Sequence, residues 1–230
     1  LKAARKITIC KLYAVILNSY KTEMEEQVKS LLAEGENEQT KFFLNTDNRE
    51  DLARTLTALA NTKGGYILIG VRKNGKVAGI EPSESYSSLM ESSSELCLPA
   101  VELAINTIQF DHKIMMLVNV PKSQTLHKVI ENDELNLYIR YHENSIKTNQ
   151  VLQKFLELGL ENRTISVDLS TEESTILELL ANNKEISMTQ LAKKVDIKRD
   201  FLENLLAHLL YKKYITYKVE GEKITFTVAI

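Results

Sequence analysis

Between Leu59 and Glu81 the chain reads LANTKGGYILIGVRKNGKVAGIE, a stretch that holds five of its eight glycines. Gly65 and Gly70 have the Gly-x-x-x-x-Gly spacing of a phosphate-cradling loop. Such a loop works because backbone N–H groups converge at the start of a helix. Here the order is reversed. Leu52, Leu56 and Leu59 fall at i, i+4, i+7 behind the Asp47-Asn48 capping pair, so a helix precedes the glycines. YILIGV then reads as a short central strand, and Gly70 leads into Val71-Arg72 rather than Lys-Ser or Lys-Thr. Residue identity and context both exclude a nucleotide loop. The glycines have structural roles instead. Gly64 caps the helix in the left-handed region. Gly65 turns sharply into the strand. Asn74-Gly75 makes a hairpin turn that returns through VAGIE as a second strand, and Gly70 and Gly79 allow close backbone approach across it.

The rest of the chain alternates helices and strands. Residues 22–33 predict a helix that leads into the acidic stretch EGENEQTKFF. Pro82 and its serines open a helix ending near Pro99. VELAINTIQF, KIMMLVNV, HKVI and LYIRY read as strands, and NQVLQKFLELG as a helix capped at its C-terminus by Gly159. ENRTISVDLS reads as a linker or bridging strand. Three helices follow (TEESTILELLANN, SMTQLAKKV and RDFLENLLAHLLYKK), then a hairpin that turns at Glu220-Gly221-Glu222. Ser187 and Gln190 have capping-box spacing.

Net charge is −2, so no global basic field draws the chain to nucleic acid, and any such contact needs a local patch. Residues 1–30 carry six Lys or Arg against three Glu. Their basic head and apolar run, LKAARKITICKLYAVIL, is interrupted by Lys11 and too short to span a membrane. It reads as an amphipathic segment that packs on the domain or a partner. Cys10 and Cys97 follow no pairing or metal pattern, which fits a reducing cytosol, and the four histidines are scattered. No metal, cofactor or membrane partner is expected.

The run ALANTKGGYILIGVRKNGKVAGIE resembles the signature of the Schlafen/AlbA-like DNA-binding domain family. Ala58, Ala60, Asn61, Thr62, Gly64, Gly65, Ile69, Gly70, Val71 and Gly79 carry the match. EGENEQTK resembles the family's Glu-rich strand, with Lys41 as its lysine. VNVPKS resembles its strand-Pro-Ser element, and LYIRYHENS its Arg-containing strand, with Arg140 and Ser145. The resemblance implies an α+β domain with a mixed or antiparallel sheet over about residues 31–160. Nuclease members of the wider Schlafen group hold a divalent metal on three carboxylates. Those positions fall here on Glu34, Gln39 and Arg72, so one is neutral and one has the wrong sign. Glu36 and Glu38 would share a face with Glu34 along a strand. The expected protein is therefore non-enzymatic, with a Schlafen-type hydrolase as the alternative. Lys41, Lys63, Arg72, Lys73 and Lys76 cluster in sequence around the hairpin and are candidate phosphate contacts, the competing reading being a solvated tip. Arg140 either meets phosphate or pairs with Glu143 or a buried carboxylate; the pairing is the favoured expectation.

The last 60 residues resemble the winged helix-turn-helix of transcription regulators. The second helix is expected to pack through Leu191 and Val195, and the third through Phe201, Leu202, Leu205, Leu209 and Leu210. Thr189, Lys198, Arg199 and Asn204 are the candidates for contact with duplex DNA. Asp200, Glu203 and the acidic wing tip oppose that reading. Winged helices also serve as protein-contact modules, which leaves a homodimer open. The expected organisation is an N-terminal helical segment over 1–30, a Schlafen/AlbA-like domain over 31–160, a linker over 161–170 and a winged helix over 171–230. The expected function is a cytoplasmic, bacterial-type transcription regulator that binds double-stranded DNA, a protein-interaction or oligomerisation module without nucleic-acid contact being a further alternative.

Overall fold

A computed structural model describes residues 21–161 and 168–229. The amphipathic segment before residue 21, with Cys10, and most of the expected linker lie outside the described residues. The fold is mixed α+β. Residues 21–34 form helix α1. Then come β1 (Thr40–Phe43), α2 (Arg49–Asn61), β2 (Gly65–Ile69), α3 (Pro82–Glu95), β3 (Cys97–Leu98), β4 (Ala104–Phe110) and β5 (Lys113–Val120). β6 (Lys128–Glu131), β7 (Glu134–Tyr141), β8 (Asn144–Lys147) and α4 (Gln150–Leu160) follow. The chain closes with α5 (Thr171–Ala181), β9 (Ile186–Ser187), α6 (Met188–Ala192), α7 (Arg199–Tyr211), β10 (Ile215–Glu220) and β11 (Lys223–Val228).

The first sheet has the order β1-β2-β5-β4, with β1 parallel to β2 and the other pairs antiparallel. Its central strands are apolar on both faces because helices cover both. Leu68, Met115 and Leu117 pack with Val28 and Leu31 of α1. Ile67, Ile69, Met116 and Val118 pack with Leu52, Leu56 and Leu59 of α2. A second sheet, β3-β6-β7-β8, lies on the other side of α2. Side chains alternate along β7. Tyr138 faces the α2 cluster, while Leu137 and Ile139 join a third cluster with Val151 and Leu152 of α4 and the helices α5 to α7. That third core therefore extends to both sides of residues 161–170, and α4 packs against α7.

Asn48 caps α2 by accepting from the Asp51 amide, and Ser187 and Gln190 form the expected capping box on α6. Three local expectations are corrected. Val77–Glu81 is not a strand; it makes one bridge, Val71 to Val77, and one backbone hydrogen bond to β5, Ile80 to Ile114. Phe201 is exposed rather than part of the core, since it lies on the face of α7 turned away from Leu202, Leu205 and Leu209. Gly159 does not cap α4, which continues to Leu160 with Glu161 at the C-cap.

Two glycines have opposite environments. A Cβ on Gly65 would stand 2.1 Å from the Gln39 carbonyl oxygen, at a φ of 155°. A Cβ on Gly159 would meet nothing within 4 Å. Gly65→Ala is expected to destabilise the fold by about 3 kcal/mol, because backbone must move. Gly159→Ala is expected to stabilise it by about 1 kcal/mol through helix propensity. Urea denaturation of the two variants measures both.

A buried carboxylate fastens α2 to the second sheet. Glu131 accepts from Arg54 Nε on one oxygen, and from Tyr138 OH at 2.7 Å and Asn136 Nδ2 at 2.9 Å on the other. Burial alone would raise the Glu131 carboxyl, but the hydrogen bonds from Tyr138, Arg54 and Asn136 outweigh it and hold the group below the usual carboxylate range. A carboxyl depressed in the folded state adds stability above its unfolded pKa, about 4.3, and loses it as pH falls through the folded value. Glu131→Gln is therefore expected to lose stability at neutral pH and to lose less of the remainder than wild type between about pH 5 and pH 3. Urea midpoints across that range test the sign.

Candidate nucleic-acid interface

β2 delivers a tight cationic turn. The Gly70 carbonyl accepts from the amides of Ala78 at 2.7 Å and Gly79 at 3.1 Å. The Arg72 amide donates to the Lys76 carbonyl at 2.9 Å, and Gly75 donates back to Arg72 at 2.8 Å. Asn74 Oδ1 accepts from the Lys76 amide. Gly70, Gly75 and Gly79 adopt φ of 92°, 79° and 92°, as this path requires. The backbone thus fixes the turn without help from the charged side chains. Arg72, Lys73 and Lys76 are exposed and make no side-chain hydrogen bond or ion pair with the described residues. Lys113, at the start of β5, stands beside Gly79 and donates to the Val77 carbonyl at 2.9 Å. It brings a further positive charge to the turn that the sequence reading missed. The pairing of β5 with β2, together with the Ile80 amide donating to the Ile114 carbonyl at 2.9 Å, places it there, from a segment remote in sequence from the turn.

The other expected members of this patch are elsewhere. Lys41, on β1, is tied to Glu36 at 3.0 Å. Lys63 is tied to Glu38 at 2.6 Å and precedes β2, so the length of the strand, about 15 Å, separates it from the turn. Arg140 is 1% exposed. Its guanidinium donates to the carbonyls of Asn37 at 2.8 Å and Glu38 at 3.2 Å and to Ser145 Oγ at 3.1 Å. This corrects both sequence readings: Arg140 is out of reach of phosphate, and its partners are carbonyls and a hydroxyl rather than a carboxylate. Burial pulls its pKa down, opposed by the charges of Glu36, Glu143, Asp51 and Glu38. Its role is to hold the loop before β1 against β7.

That loop also changes the acidic positions. Residues 35–39 are irregular, not a strand, with the Asn37 amide donating to the Thr40 carbonyl. Glu34 ends α1 and accepts from Ser30, Glu36 accepts from the Phe42 amide, and Glu38 pairs with Lys63. The three do not share a strand face. Among the described residues no three His, Cys, Asp or Glu side chains come together as a metal group. Cys97 is buried, which pushes its thiol up to about 12.

At the C-terminal end, Lys198 is the N-cap residue of α7, exposed and without a side-chain partner among the described residues. Arg199 pairs with Glu203 at 3.1 Å, so its charge is partly matched. Thr189 is exposed on α6 and Asn204 half-buried on α7. Lys154 of α4 pairs with Asp200 and Glu203, an interaction invisible before α4 and α7 are seen packed together. Glu220 and Glu222 are exposed at the β10–β11 turn.

A family model described as Schlafen, AlbA_2 matches residues 34–149, half of the chain. The chain belongs to the Schlafen, AlbA_2 family. The matched region holds β1 to β8 with α2 and α3, and ends just before α4. No curated protein matches the chain in sequence. Among solved structures, the DIP2311 protein from Corynebacterium diphtheriae is similar over 81% of this chain and 37% of its own, at 13% identity and a TM-score of 0.47. The N-terminal domain of a RecG-related protein from Nitrosomonas europaea is similar over 42% of this chain and 73% of its own, at 22% identity and a TM-score of 0.33. The chain thus spans little more than a third of the first of these. Among the described residues no helix is long and apolar enough to cross a membrane.

Within this AlbA_2 domain Arg140 acts as a structural clamp. Arg140→Ala strands two carbonyls and a hydroxyl in a buried site, and is expected to cost about 3 kcal/mol in urea denaturation.

Proposed function

We propose that this AlbA_2 protein is a non-enzymatic, duplex-DNA-binding transcription regulator, and that the turn carrying Arg72, Lys73 and Lys76 is its main phosphate contact. The observation that carries this reading is the turn itself. Three exposed cations without a carboxylate partner concentrate positive potential at one turn, which a polyanion matches. The backbone already fixes where the three side chains leave the turn, so binding has only the side chains to order. Lys113 adds to the same field.

The C-terminal elements support a winged-helix reading. Their order is helix, short strand, helix, helix, hairpin, and β9 joins the hairpin as its third strand. In that motif the helix here numbered α7 approaches the major groove with its N-terminal end. Lys198 is the free cation at that end, with Thr189 and Asn204 nearby in the motif. Lys154 offsets the acidic Asp200 and Glu203. Two contacts, one on each half of the chain, would give the protein a defined orientation on DNA. The absence of catalysis is part of the same proposal: Arg72, at the position of a carboxylate in the nuclease pattern, instead supplies positive charge to the turn.

Anisotropy of a labelled duplex against salt tests the reading. Each phosphate contact adds about 0.9 to the slope of log affinity against log salt. The triple variant Arg72→Ala, Lys73→Ala, Lys76→Ala is expected to bind all sequences more weakly and to lose about two to three units of slope. Lys198→Ala is expected to lose about one unit. Equal slopes for wild type and the triple variant would remove the turn from the interface. No binding by wild type at low salt would sink the DNA reading itself.

A further inference from the structure

At the end of β2 remote from the cationic turn, a cavity of about 390 Å³ opens between the AlbA_2 domain and α4. Leu126, Ile139, Phe155, Leu156, Leu160 and Tyr217 supply its apolar walls, and Lys63, Lys122, Thr125 and Glu38 its polar rim. We propose that this cavity binds a small amphipathic anion, an apolar tail carrying a carboxylate or sulfonate, with Lys122 as the counter-charge.

Two independent observations point there. The first is charge. Lys63 and Glu38 neutralise each other at 2.6 Å. Lys122 is exposed and has no side-chain partner among the described residues, so the rim is left with one uncompensated positive charge. A neutral or cationic ligand leaves that charge unmatched. The second is Gly159. It stands inside α4, lines the cavity, and has open space where a Cβ would be. Glycine disfavours helix, and although Gly159 lies in the last turn of α4, no positive φ calls for it there. Gly159 is exposed and lies on the face of α4 that carries Phe155, Leu156 and Leu160 to the cavity, so a larger side chain there would stand at the cavity mouth.

The size falls within the range of about 300–1,000 Å³ usual for small-ligand sites, which favour junctions between structural units. The walls come from α2, the β5–β6 connection, β7, α4 and β10, so a bound molecule would touch both halves of the chain. The site stands apart from the DNA reading and does not depend on it.

The test uses the full chain with anilinonaphthalene sulfonate as a fluorescent probe and decanoate as competitor. Decylammonium and decanol serve as charge controls. Wild type is expected to bind the probe at one saturable site, and decanoate is expected to displace it at about tenfold lower concentration than decylammonium. Bound decanoate is also expected to raise the thermal midpoint, since it binds only the folded state. Gly159→Phe places a ring at the cavity mouth from an unstrained helical position and is expected to weaken probe and decanoate by about tenfold or more, with its own thermal midpoint kept. Lys122→Ala is expected to abolish the preference for decanoate over decanol. Absence of saturable binding up to about 1 mM, or equal displacement by decylammonium, overturns the proposal. So does binding by Gly159→Phe equal to that of wild type. A chain lacking residues 1–20 that binds the probe where the full chain does not would also overturn it, by giving the cavity to that apolar segment.

Discussion

The close backbone crossing at Gly64-Gly65 is the constraint on which the rest depends. A Cβ on Gly64 would stand 2.7 Å from the Lys122 amide, and one on Gly65 would collide with Gln39. Only bare backbone lets the end of α2 press between the loop before β1 and the end of β5. Asn61, just upstream, locks the arrangement. Its side chain donates to the carbonyls of His127 and Tyr138 and accepts from the His127 amide. α2 is thereby held between the two sheets, and β2 runs out from a fixed origin. Both candidate sites follow from that geometry. The strand carries the cationic turn at its far end, and the crossing sets Lys122 at the rim of the cavity near its start.

Electrostatic sorting then separates paired from unpaired cations. Lys41, Lys63, Lys154 and Arg199 each have a carboxylate within ion-pair distance. Arg140 is buried on carbonyls and Ser145. Arg72, Lys73, Lys76, Lys122 and Lys198 are exposed without such partners among the described residues. Exposed ion pairs contribute little to stability, typically about 0–1 kcal/mol, so leaving these residues unpaired costs the fold almost nothing. It leaves them available to an external anion.

Much of this was legible in the sequence because it is written locally. The glycine spacing, the Leu52-Leu56-Leu59 face, the Asn48 cap and the Ser187 capping box each depend on a few neighbouring residues. The double-sided burial of β2 showed as an unbroken apolar run. The misreadings arose where distant segments decide. Val77–Glu81 looks like a strand, but beyond Val77 it forms no ladder; Gly79 packs on Lys113, and Ile80 makes a lone backbone hydrogen bond to Ile114 of β5. The acidic stretch looks like a strand, yet Arg140, over a hundred residues away, draws its carbonyls inward. Phe201 has the residue type of a core position but the wrong helical phase. Gly159 near a helix end suggests a cap, and only the cavity beside α4 gives it another meaning. Lys113 and Lys122 carried no local signal at all.

The proposed DNA contact is the turn at the end of β2 in the AlbA_2 domain. Amide chemical-shift mapping of the full chain on titration with a short duplex at low salt tests it most directly. The largest shifts are expected within residues 70–79 and 111–114, with a second set at the start of α7 and little change around Arg140 or along the Lys63 end of β2. Shifts concentrated on the loop before β1 or on the β8 edge, with the turn silent, would contradict it.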